Sequence, residues 1–498
     1  MNKNLAIVPY HCGRVRRRTF LADCGMGFTG LVLGAMLQRD GTPAARADEV
    51  WRPPDGKPHF PPRAKSVIWI FMQGGVSHVD TFDPKPALNK YAGMTIGETP
   101  YKGVLDSPFV KKNVVQFTMD TRKLMTTVFP MQAGYRKRGQ SGIEVSDWWP
   151  ELGECVDDIA FIRSVWTTDN DHAAQLQFHQ GRHIFEGIFP SIGSWVHYGL
   201  GSLNENLPEF VVLGPPVPPN LGGSAVWGAA YLGPEHGGVR VEVDPDNPLP
   251  FAFPGPEVYK EEQQREFEFL DRLNRLNAIQ YPQDPILRAR VKSYELAFRM
   301  QTAVPELLRF SDESAETQKL YGLDRDETRS FGQVCLTARR FVERGVRFVQ
   351  IFQGYEADAG GWDAHSELQK NHSKLCARVD RPLAGLLKDL KQRGLLSETV
   401  VVWGTEFGRT PGVEGARGGR DHHPFGFTCW MAGAGIKGGL THGATDELGF
   451  HAVEERHYVT DIHATVLRQL GLDPRRLEVP GHKRLEIDFG KPIQDILT

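Results

Sequence analysis

The sequence predicts an α/β fold, a three-layer sandwich in which helices cover both faces of a mostly parallel central sheet. Short runs rich in β-branched and aromatic residues, several of them closed by glycine, are typical of buried strands. These runs are SVIWIFMQGG, DDIAFIRSV, EFVVLG, VRFVQIF, ETVVVWG and GFTCWMAG. Longer runs with helical spacing stop at glycine, and the alternation of strands with helices favours parallel pairing. These runs are DETRSFGQVCLTARRFVERG, SKLCARVDRPLAGLLKDLKQRG and YVTDIHATVLRQLGL.

Residues 1–47 resemble a twin-arginine export signal. Adjacent arginines from Arg16 to Arg18 precede a short apolar stretch interrupted by glycines, and Ala45-Arg46-Ala47 supplies small residues for cleavage. The apolar stretch is shorter than the roughly 20 residues that a bilayer span requires. We therefore expect a cleaved signal, no stable membrane span, and a mature protein in the periplasm or outside the cell.

A proline-rich leader, residues 48–64, precedes a single α/β domain predicted over residues 65–498. Within that domain, the stretch from Gly214 to Pro256 is rich in glycine and proline and has no clear periodicity. Charged helical stretches then follow to about Leu323. We expect residues 214–323 to form a loop-rich insertion or cap.

The composition is that of a soluble globular protein with a large core: 498 residues, 40% hydrophobic and 24% charged. Signal cleavage would remove seven basic and two acidic residues, so the formal net charge would change from −3 to −8. An acidic protein of this kind is a poor nucleic-acid binder. Nothing in the sequence indicates an oligomeric state. Four widely spaced cysteines would remain, which favours neither a zinc ribbon nor a disulfide scaffold.

Polar clusters follow four of the predicted strands, at the edge where ligands bind in parallel α/β sheets. They are QGGVSHVDTFDPK, TTDNDHAAQLQFH, QGYEADAGGWDAHSELQKNH and TEFGRT…GRDHHP. In the third cluster, Asp363 and His365 offer one oxygen and one nitrogen ligand at close spacing, which suits zinc, manganese or iron. The alternative is that Asp363 caps the helix that follows.

The fourth cluster holds Asp421, His422 and His423 in a glycine-rich loop. Two adjacent imidazoles are costly to bury in a core, so we predict that they bind a metal, although a surface loop would also tolerate them. Glu406 stands where a buried strand ends, and a carboxylate there requires a cation. That cation is either the metal or the guanidinium of Arg409.

The first two clusters add further candidates. His78 and Asp80 are candidate metal ligands, or else Asp80 only caps a turn. His172 is a candidate catalytic residue at the start of a helical run, where an anionic oxygen would be held, or else this start is only a helix cap. Histidines in unremarkable settings are expected to lie at the surface or to have their hydrogen bonds satisfied: His179, His183, His372, His451 and His457.

Ser141, in the stretch KRGQSGIEVSDWWPEL, is the candidate nucleophile. It lies between glycines and basic residues. A hydroxyl group becomes a competent nucleophile only with a base or a metal beside it. The prediction therefore depends on whether the fold brings Ser141 to the metal ligands.

Several motifs together resemble the secreted bacterial domain-of-unknown-function family 1501, often labelled sulfatase, within the alkaline phosphatase-like superfamily. The motifs are FMQGGVSHVDTFDPKP, GQSGIEVSDWWPEL, GGWDAH, GTEFGRTP, GRDHHPFG and VTDIHATVLRQLGLDPRRLEVPGHKRLEI. The resemblance implies an alkaline phosphatase-like fold with one or two divalent cations (zinc, calcium, magnesium or manganese). It also implies a serine, threonine or modified cysteine as nucleophile.

The resemblance also carries residue roles. Asp363 and His365 resemble the superfamily's Asp-and-His metal motif, Glu406 stands where its Asp-His-Gly motif begins, and His422 or His423 resembles its late histidine ligand. The sequence departs from the superfamily where Gln73 replaces a metal-binding aspartate and Phe407 replaces a histidine. The Cys/Ser-x-Pro-x-Arg signature that yields formylglycine in sulfatases is absent.

The function expected from these features is that of an exported, metal-dependent hydrolase of phosphate or sulfate esters. Its substrate would be a small anionic ester or a sulfated or phosphorylated glycan, with Arg409 or Arg420 neutralising the anionic group. One alternative is a catalytically degenerate relative that binds extracellular glycans or partners. Another is metal-assisted hydrolysis of a different bond by water alone.

Overall fold

The computed structural model describes residues 53–106, 124–204, 206–244, 303–354 and 361–498, together with scattered positions between 259 and 301. Pro54–Thr498 form one compact unit. The predicted export signal lies outside the described residues. None of the helices in the described part of the chain has both the length and the hydropathy that a bilayer crossing needs.

A nine-stranded sheet forms the centre of the molecule, in the order β12-β4-β11-β8-β1-β7-β5-β6, with β15 also paired to β4. Only β11 is antiparallel to its neighbours β4 and β8. Three two-stranded pairs lie outside this sheet: β2 with β3, β9 with β10, and β13 with β14. The strands are β1 Ser66–Met72, β2 Tyr135–Arg138, β3 Ile143–Ser146, β4 Ile159–Trp166, β5 Phe210–Leu213, β6 Val239–Arg240, β7 Phe348–Gln353, β8 Thr399–Thr405, β9 Gly408–Arg409, β10 His422–His423, β11 Phe427–Gly433, β12 Leu440–His442, β13 Ala444–Thr445, β14 Ala452–Glu454 and β15 His457–Tyr458.

Helices cover both faces of this sheet, which makes three layers. In β1, Ile68 and Ile70 pack with α5 and α6 on one face, while Val67 and Trp69 pack with α2, α3 and α7 on the other, because successive side chains of a strand point to opposite faces. The α-helices with described bounds are α1 Pro86–Lys90, α2 Ala174–Gln180, α3 Ile192–Leu200, α4 Ala315–Leu320, α5 Asp326–Glu343, α6 Leu368–Gln392 and α7 Val459–Gln469. The α/β sandwich, its six expected strands and its three expected helices are therefore confirmed.

The direction of the strands decides where the polar loops meet. Because β1, β4, β7 and β8 all run the same way, the loops that follow them lie at one edge of the sheet. Strand β11 runs in the opposite direction, so it begins at that same edge, directly after the loop that carries β10. We call this edge of the sheet, where β1, β4, β7 and β8 end and β11 begins, the carboxyl edge.

The expected insertion, residues 214–323, is described only at its two ends. Its first part is a series of short 3-10 turns followed by β6, which extends the sheet by pairing with β5. Its last part contains α4. Residues 245–258 and most of 260–302 lie outside the description, so the cap remains a prediction. The described end of the leader is held at the end of α7, since Ala64 donates its backbone N–H to the carbonyl of Gln469, the last residue of the helix, and His59 donates to Gly471 just beyond it.

The four cysteines in the described part of the chain form no disulfide. All four are free and buried: Cys155, Cys335, Cys376 and Cys429. Burial raises the pKa of the Cys155 thiol to about 12, and it raises those of the other three as well. These thiols are packing residues, which agrees with the absence of a metal-binding cysteine pattern in the sequence.

Candidate metal centre

Four side chains meet at the carboxyl edge, and we call them the central cluster: His172, Asp363, His365 and His422. Oδ1 of Asp363 lies 3.0 Å from Nε2 of His365 and 3.0 Å from Nε2 of His422. Oδ2 of Asp363 lies 3.0 Å from Nε2 of His172, and the Nε2 atoms of His365 and His422 are 3.0 Å apart. These residues follow β4, β7 and β8, so the fold brings together side chains that are up to 250 positions apart in sequence.

Each imidazole of the central cluster turns its other nitrogen, Nδ1, towards a hydrogen-bond acceptor. The acceptors are Glu406 Oε1 for His172 (3.1 Å), Glu414 Oε2 for His365 (2.5 Å) and the Asn170 carbonyl for His422 (2.7 Å). In a neutral ring, an acceptor at Nδ1 places the hydrogen there and leaves the lone pair on Nε2, as in metal-binding histidines. Three Nε2 atoms and one carboxylate therefore face the same small space.

The charge states around this space also favour a cation. Burial would raise the pKa of Asp363, but hydrogen bonds from His172 and His365 and the charge of Arg409 hold it well below its usual range, so Asp363 is ionised. Burial, followed by the charge of Arg409, keeps the pKa of His422 far below its ordinary value, so His422 is neutral. These are the protonation states that a metal ligand requires.

His172 behaves differently from His422. Burial alone would lower the pKa of His172, but the carboxylates of Asp363 and Glu406 raise it to about 9. Without a metal, its Nε2 therefore carries a proton at neutral pH, and this proton lies between the ring and Asp363. A cation bound to Nε2 would take the place of that proton.

We expect metal binding to strengthen as the pH rises. Below about pH 9 the cation has to displace the His172 proton, so the apparent affinity should increase about tenfold per pH unit up to that value. The metal-free protein should show the opposite trend in stability, because a raised pKa stabilises the folded state below about 6.5 and this contribution is lost as the pH passes through about 9. Calorimetric zinc titrations at several pH values measure the first trend, and thermal melts in chelator measure the second. An affinity that does not change between pH 6 and pH 9 would contradict this account of His172.

The donor set suits a divalent transition metal. Imidazole nitrogens with one carboxylate oxygen are typical of zinc, which prefers four ligands in a tetrahedral arrangement. His172, Asp363 and His422 each offer a ligand atom within 4.8 Å of the others, and His365 adjoins His422. Asp421 also lies here, but its Oδ1 accepts the backbone N–H of His422 and is 3.9 Å from Nδ1 of His365. Even so, Asp421, His365 and His422 each offer a ligand atom within 4.8 Å of the others, so Asp421 stays a candidate ligand.

Glu406 acts as a support in this structure. It is fully buried, and its carboxylate accepts hydrogen bonds from the Gly74 backbone N–H at 2.7 Å and from the Thr405 hydroxyl, besides its contact with His172. Gly74 has φ +117°, and a Cβ there would lie 2.6 Å from the backbone nitrogen of Asp363. Glycine thus lets the loop after β1 pass directly against Asp363 and reach Glu406.

Replacing Glu406 by glutamine should lower the metal affinity about 10- to 100-fold, as is typical when an outer-sphere partner of a metal-binding histidine is lost. The glutamine amide carries no negative charge, so it binds the Nδ1 hydrogen of His172 less strongly than the carboxylate does. Glu398→Gln is a matched control, because Glu398 precedes the other end of β8 and pairs only with Lys65 at the surface. Competition of zinc with a chromophoric chelator gives both affinities. Equal affinities for the two variants would exclude this role for Glu406.

Arg409 corrects two expectations. It does not pair with Glu406: its guanidinium bonds to Asp363 Oδ1 at 2.8 Å. Arg409 is also fully buried, so it holds the loops together and presents no group to a substrate. Its other donors reach backbone carbonyls of Gly74, Gly75, Trp362 and Arg420. The N-terminal cap of α6 is Glu367, so Asp363 is not a helix cap either.

Three further candidates for metal binding are engaged elsewhere in the fold. Nε2 of His78 lies 2.8 Å from the Gly449 carbonyl, and Nε2 of His423 contacts the Phe450 carbonyl. Asp80 forms a fully buried ion pair with Arg420 at 2.8 Å. The structure therefore does not bring His78, Asp80 or His423 to the central cluster, because each has a structural partner of its own.

Ser141 is also distant from this chemistry. It lies in the exposed turn between β2 and β3, where its backbone N–H donates to Oδ1 of Asp157 at 2.8 Å. Its Cβ lies beside Gly439, at the amino end of β12. No base or metal candidate of the central cluster contacts this hydroxyl group, so the structure gives no support to Ser141 as nucleophile.

Together these features define an α/β protein with a candidate metal centre at the carboxyl edge of a mostly parallel sheet. The chain belongs to the family described as protein of unknown function DUF1501, whose sequence profile matches residues 64–497. No curated protein matches the sequence.

Among solved structures, the chain is similar to a phosphonate monoester hydrolase, a sulfatase and an alkaline phosphatase. The phosphonate monoester hydrolase SpPMH from Silicibacter pomeroyi is 12% identical, with 70% of this chain and 71% of the hydrolase covered and a TM-score of 0.33. The PsFucS1 sulfatase from Pseudoalteromonas sp. is 12% identical over 70% of this chain and 66% of the sulfatase, with a TM-score of 0.31. A TAB5 alkaline phosphatase mutant with bound Mg is 11% identical, with 78% of this chain and 95% of the phosphatase covered and a TM-score of 0.31.

Proposed function

We propose that this protein is an exported, metal-dependent hydrolase of phosphate or sulfate esters. The observation that carries the proposal is the convergence of three imidazole Nε2 atoms and the Asp363 carboxylate at the carboxyl edge. A divalent cation bound there would polarise an ester oxygen and lower the pKa of a water molecule. The side chains of Asp363 and His365 are 23% and 31% exposed, so the cluster is open to a ligand on that side.

Water is the nucleophile that this arrangement favours. Among the described residues, no hydroxyl group hydrogen-bonds to Asp363, His365 or His422, and Ser141 lies in a distant turn. We therefore propose direct attack of water on the ester, with no covalent enzyme intermediate. Glu406 and Glu414 would keep the rings of His172 and His365 oriented during this reaction.

The alternative, a protein that keeps the fold and binds glycans or partners without turnover, has its own support. The guanidinium groups of Arg409 and Arg420 are bound inside the protein, so neither neutralises an anionic ester directly. Gln73 bonds to Gln175, and Phe407 stacks on the ring of His422 with 4.3 Å between ring centroids. A second metal site of the superfamily type would need an aspartate and a histidine at those two positions.

One experiment separates these possibilities. The purified protein is assayed on aryl phosphates and aryl sulfates after chelator treatment and after addition of zinc, manganese, magnesium or calcium. We expect turnover that is lost in chelator, restored by one of these metals, absent in Asp363→Asn and unchanged in Ser141→Ala. Bound metal without any turnover would favour the binding protein, while turnover that chelator does not affect would contradict the proposal.

Export is part of the same proposal and rests on the sequence. Lysines in place of Arg16, Arg17 and Arg18 should keep the protein inside the cell, because the twin-arginine route requires adjacent arginines. Fractionation of cells that express either form measures this. Release of both forms to the same extent would mean that another route carries the protein.

A further inference from the structure

A second group of histidines lies outside the central cluster, at the far edge of the sheet. His442 ends β12 and His457 begins β15, and both strands pair in parallel with β4. His442 is in register with Ile162, and His457 is in register with Val165. Two separate strands thus bring these imidazoles to neighbouring positions along the same outer edge.

The two rings face each other through their Nε2 atoms, which are 2.9 Å apart. Nδ1 of His457 lies 2.9 Å from Oδ2 of Asp461, so it holds the hydrogen and leaves the lone pair on Nε2. The side chains of His442 and His457 are only 8% and 13% exposed. Without a cation, His442 has to donate its Nε2 hydrogen to His457.

Glu455 completes the group. One of its carboxylate oxygens lies within 4.8 Å of ligand nitrogens on both rings. Its backbone has φ +41°, which is unusual for a residue other than glycine, and its carbonyl accepts a hydrogen bond from the Ser164 hydroxyl at 2.5 Å. The next side chain, Arg456, lies over the ring of Trp166, 4.9 Å from its centroid. The turn therefore directs a carboxylate to the two rings and an arginine to an aromatic side chain.

We propose that His442, Glu455 and His457 form a second divalent-cation site. None of these three residues belongs to the central cluster. Two imidazoles and one carboxylate, with water as fourth ligand, are a zinc-type donor set. Asp461 acts as a positioning residue through the ring of His457. This proposal does not rest on the proposed hydrolase function.

A cation at this site would link the two ends of chain segment 443–456. His442 and His457 flank that segment, and Glu455 is near its end. The segment carries the acceptors that hold two buried histidines of the loops at the carboxyl edge: the Gly449 carbonyl for His78 and the Phe450 carbonyl for His423. We therefore assign the site a structural role, that of fixing this segment against the sheet. Its cation should raise the melting temperature without being required for binding at the central cluster.

Zinc titration of the chelator-treated full chain, followed by competition with a chromophoric chelator and by metal analysis, tests the proposal. Wild type should bind two zinc ions per chain, and His457→Ala should bind one. Glu455→Gln removes the carboxylate charge without shortening the side chain and should weaken the outer site, so it covers the case in which His457→Ala does not fold. Asp461→Asn should lower the affinity of that site about 10- to 100-fold. His482→Ala, which alters an exposed histidine stacked on Tyr231, should bind two ions as wild type does.

The outcomes distinguish the two sites. If His457→Ala and Glu455→Gln bind as much zinc as wild type with the same affinities, the outer site is overturned. If His422→Ala still binds one ion, and His422→Ala/His457→Ala binds none, the outer site stands. A wild type that binds a single ion lost in His457→Ala but kept in His422→Ala would support the outer site and contradict the central one. The reverse pattern would support the central site and overturn this proposal.

Discussion

Asp363→Asn is expected to weaken divalent-metal binding at the central cluster by at least about 100-fold and to reduce any chelator-sensitive turnover in proportion. The carboxylate of Asp363 lies 3.0 Å from each of the three imidazole nitrogens, and its negative charge is the one that faces the cation directly. Loss of an outer-sphere partner alone lowers the metal affinity about 10- to 100-fold, so loss of a charged ligand should lower it further. Isothermal titration with zinc and manganese measures the affinity.

Asp171→Asn is the matched control, because Asp171 precedes His172 but lies outside the central cluster. It should retain the wild-type affinity. Thermal melts establish that both variants are folded. If Asp363→Asn is folded and binds metal as tightly as Asp171→Asn, then Asp363 is not a ligand and the account of this site fails.

Arg420→Met is expected to lower the free energy of unfolding by about 3–5 kcal/mol, which is the usual cost of leaving one member of a buried ion pair without its partner. Arg420 and Asp80 are both fully buried and 2.8 Å apart. The guanidinium also donates to four backbone carbonyls, those of Phe129, Pro130, Thr410 and Pro411. The free energy of unfolding of a native protein is about 5–15 kcal/mol, so this loss is a large fraction of the total. Urea denaturation at a fixed metal concentration measures it.

The double variant Asp80→Asn/Arg420→Met should be more stable than Arg420→Met alone, because it removes the unpaired buried carboxylate. A cycle of the two single variants and the double variant gives the coupling energy. A loss below about 1 kcal/mol for Arg420→Met, as is typical of exposed pairs, would mean that Arg420 is free to serve a substrate, as the sequence suggested.

The fold was predictable because its signals are local. Strands such as β1 and β8 are short, apolar and β-branched, and α5 has the spacing of an amphipathic helix that ends before Gly345. The direction of β11 and the pairing of β15 with β4 were not predictable. Strand pairing depends on contacts between distant segments, which no local pattern records.

The site was predictable in part. Their types and their positions after predicted strands make Asp363, His365 and His422 candidate metal ligands, and the structure brings them together with His172. The sequence could not separate these ligands from His78, Asp80 and His423, which lie in equally polar loops. His78 and His423 contact backbone carbonyl groups, and Asp80 pairs with Arg420. These contacts join segments that are distant in sequence, so no local pattern predicts them.

Two features of the structure gave no signal in the sequence. Glu414 and the Asn170 carbonyl orient the rings of His365 and His422, but neither residue stands in a recognisable pattern. His457 was expected to be unremarkable, and its meeting with His442 depends on two short strands that pair with β4. Supporting groups of this kind become visible only when distances are known.

An anomalous-scattering map of crystals grown with zinc would test the central claim most directly. The account predicts one strong peak at the carboxyl edge, within about 2.0–2.2 Å of Nε2 of His172, Nε2 of His422 and an oxygen of Asp363. His365 should lie at or beside the same coordination sphere. Crystals saturated with zinc in which these side chains bond only to one another, with no peak between them, would contradict it.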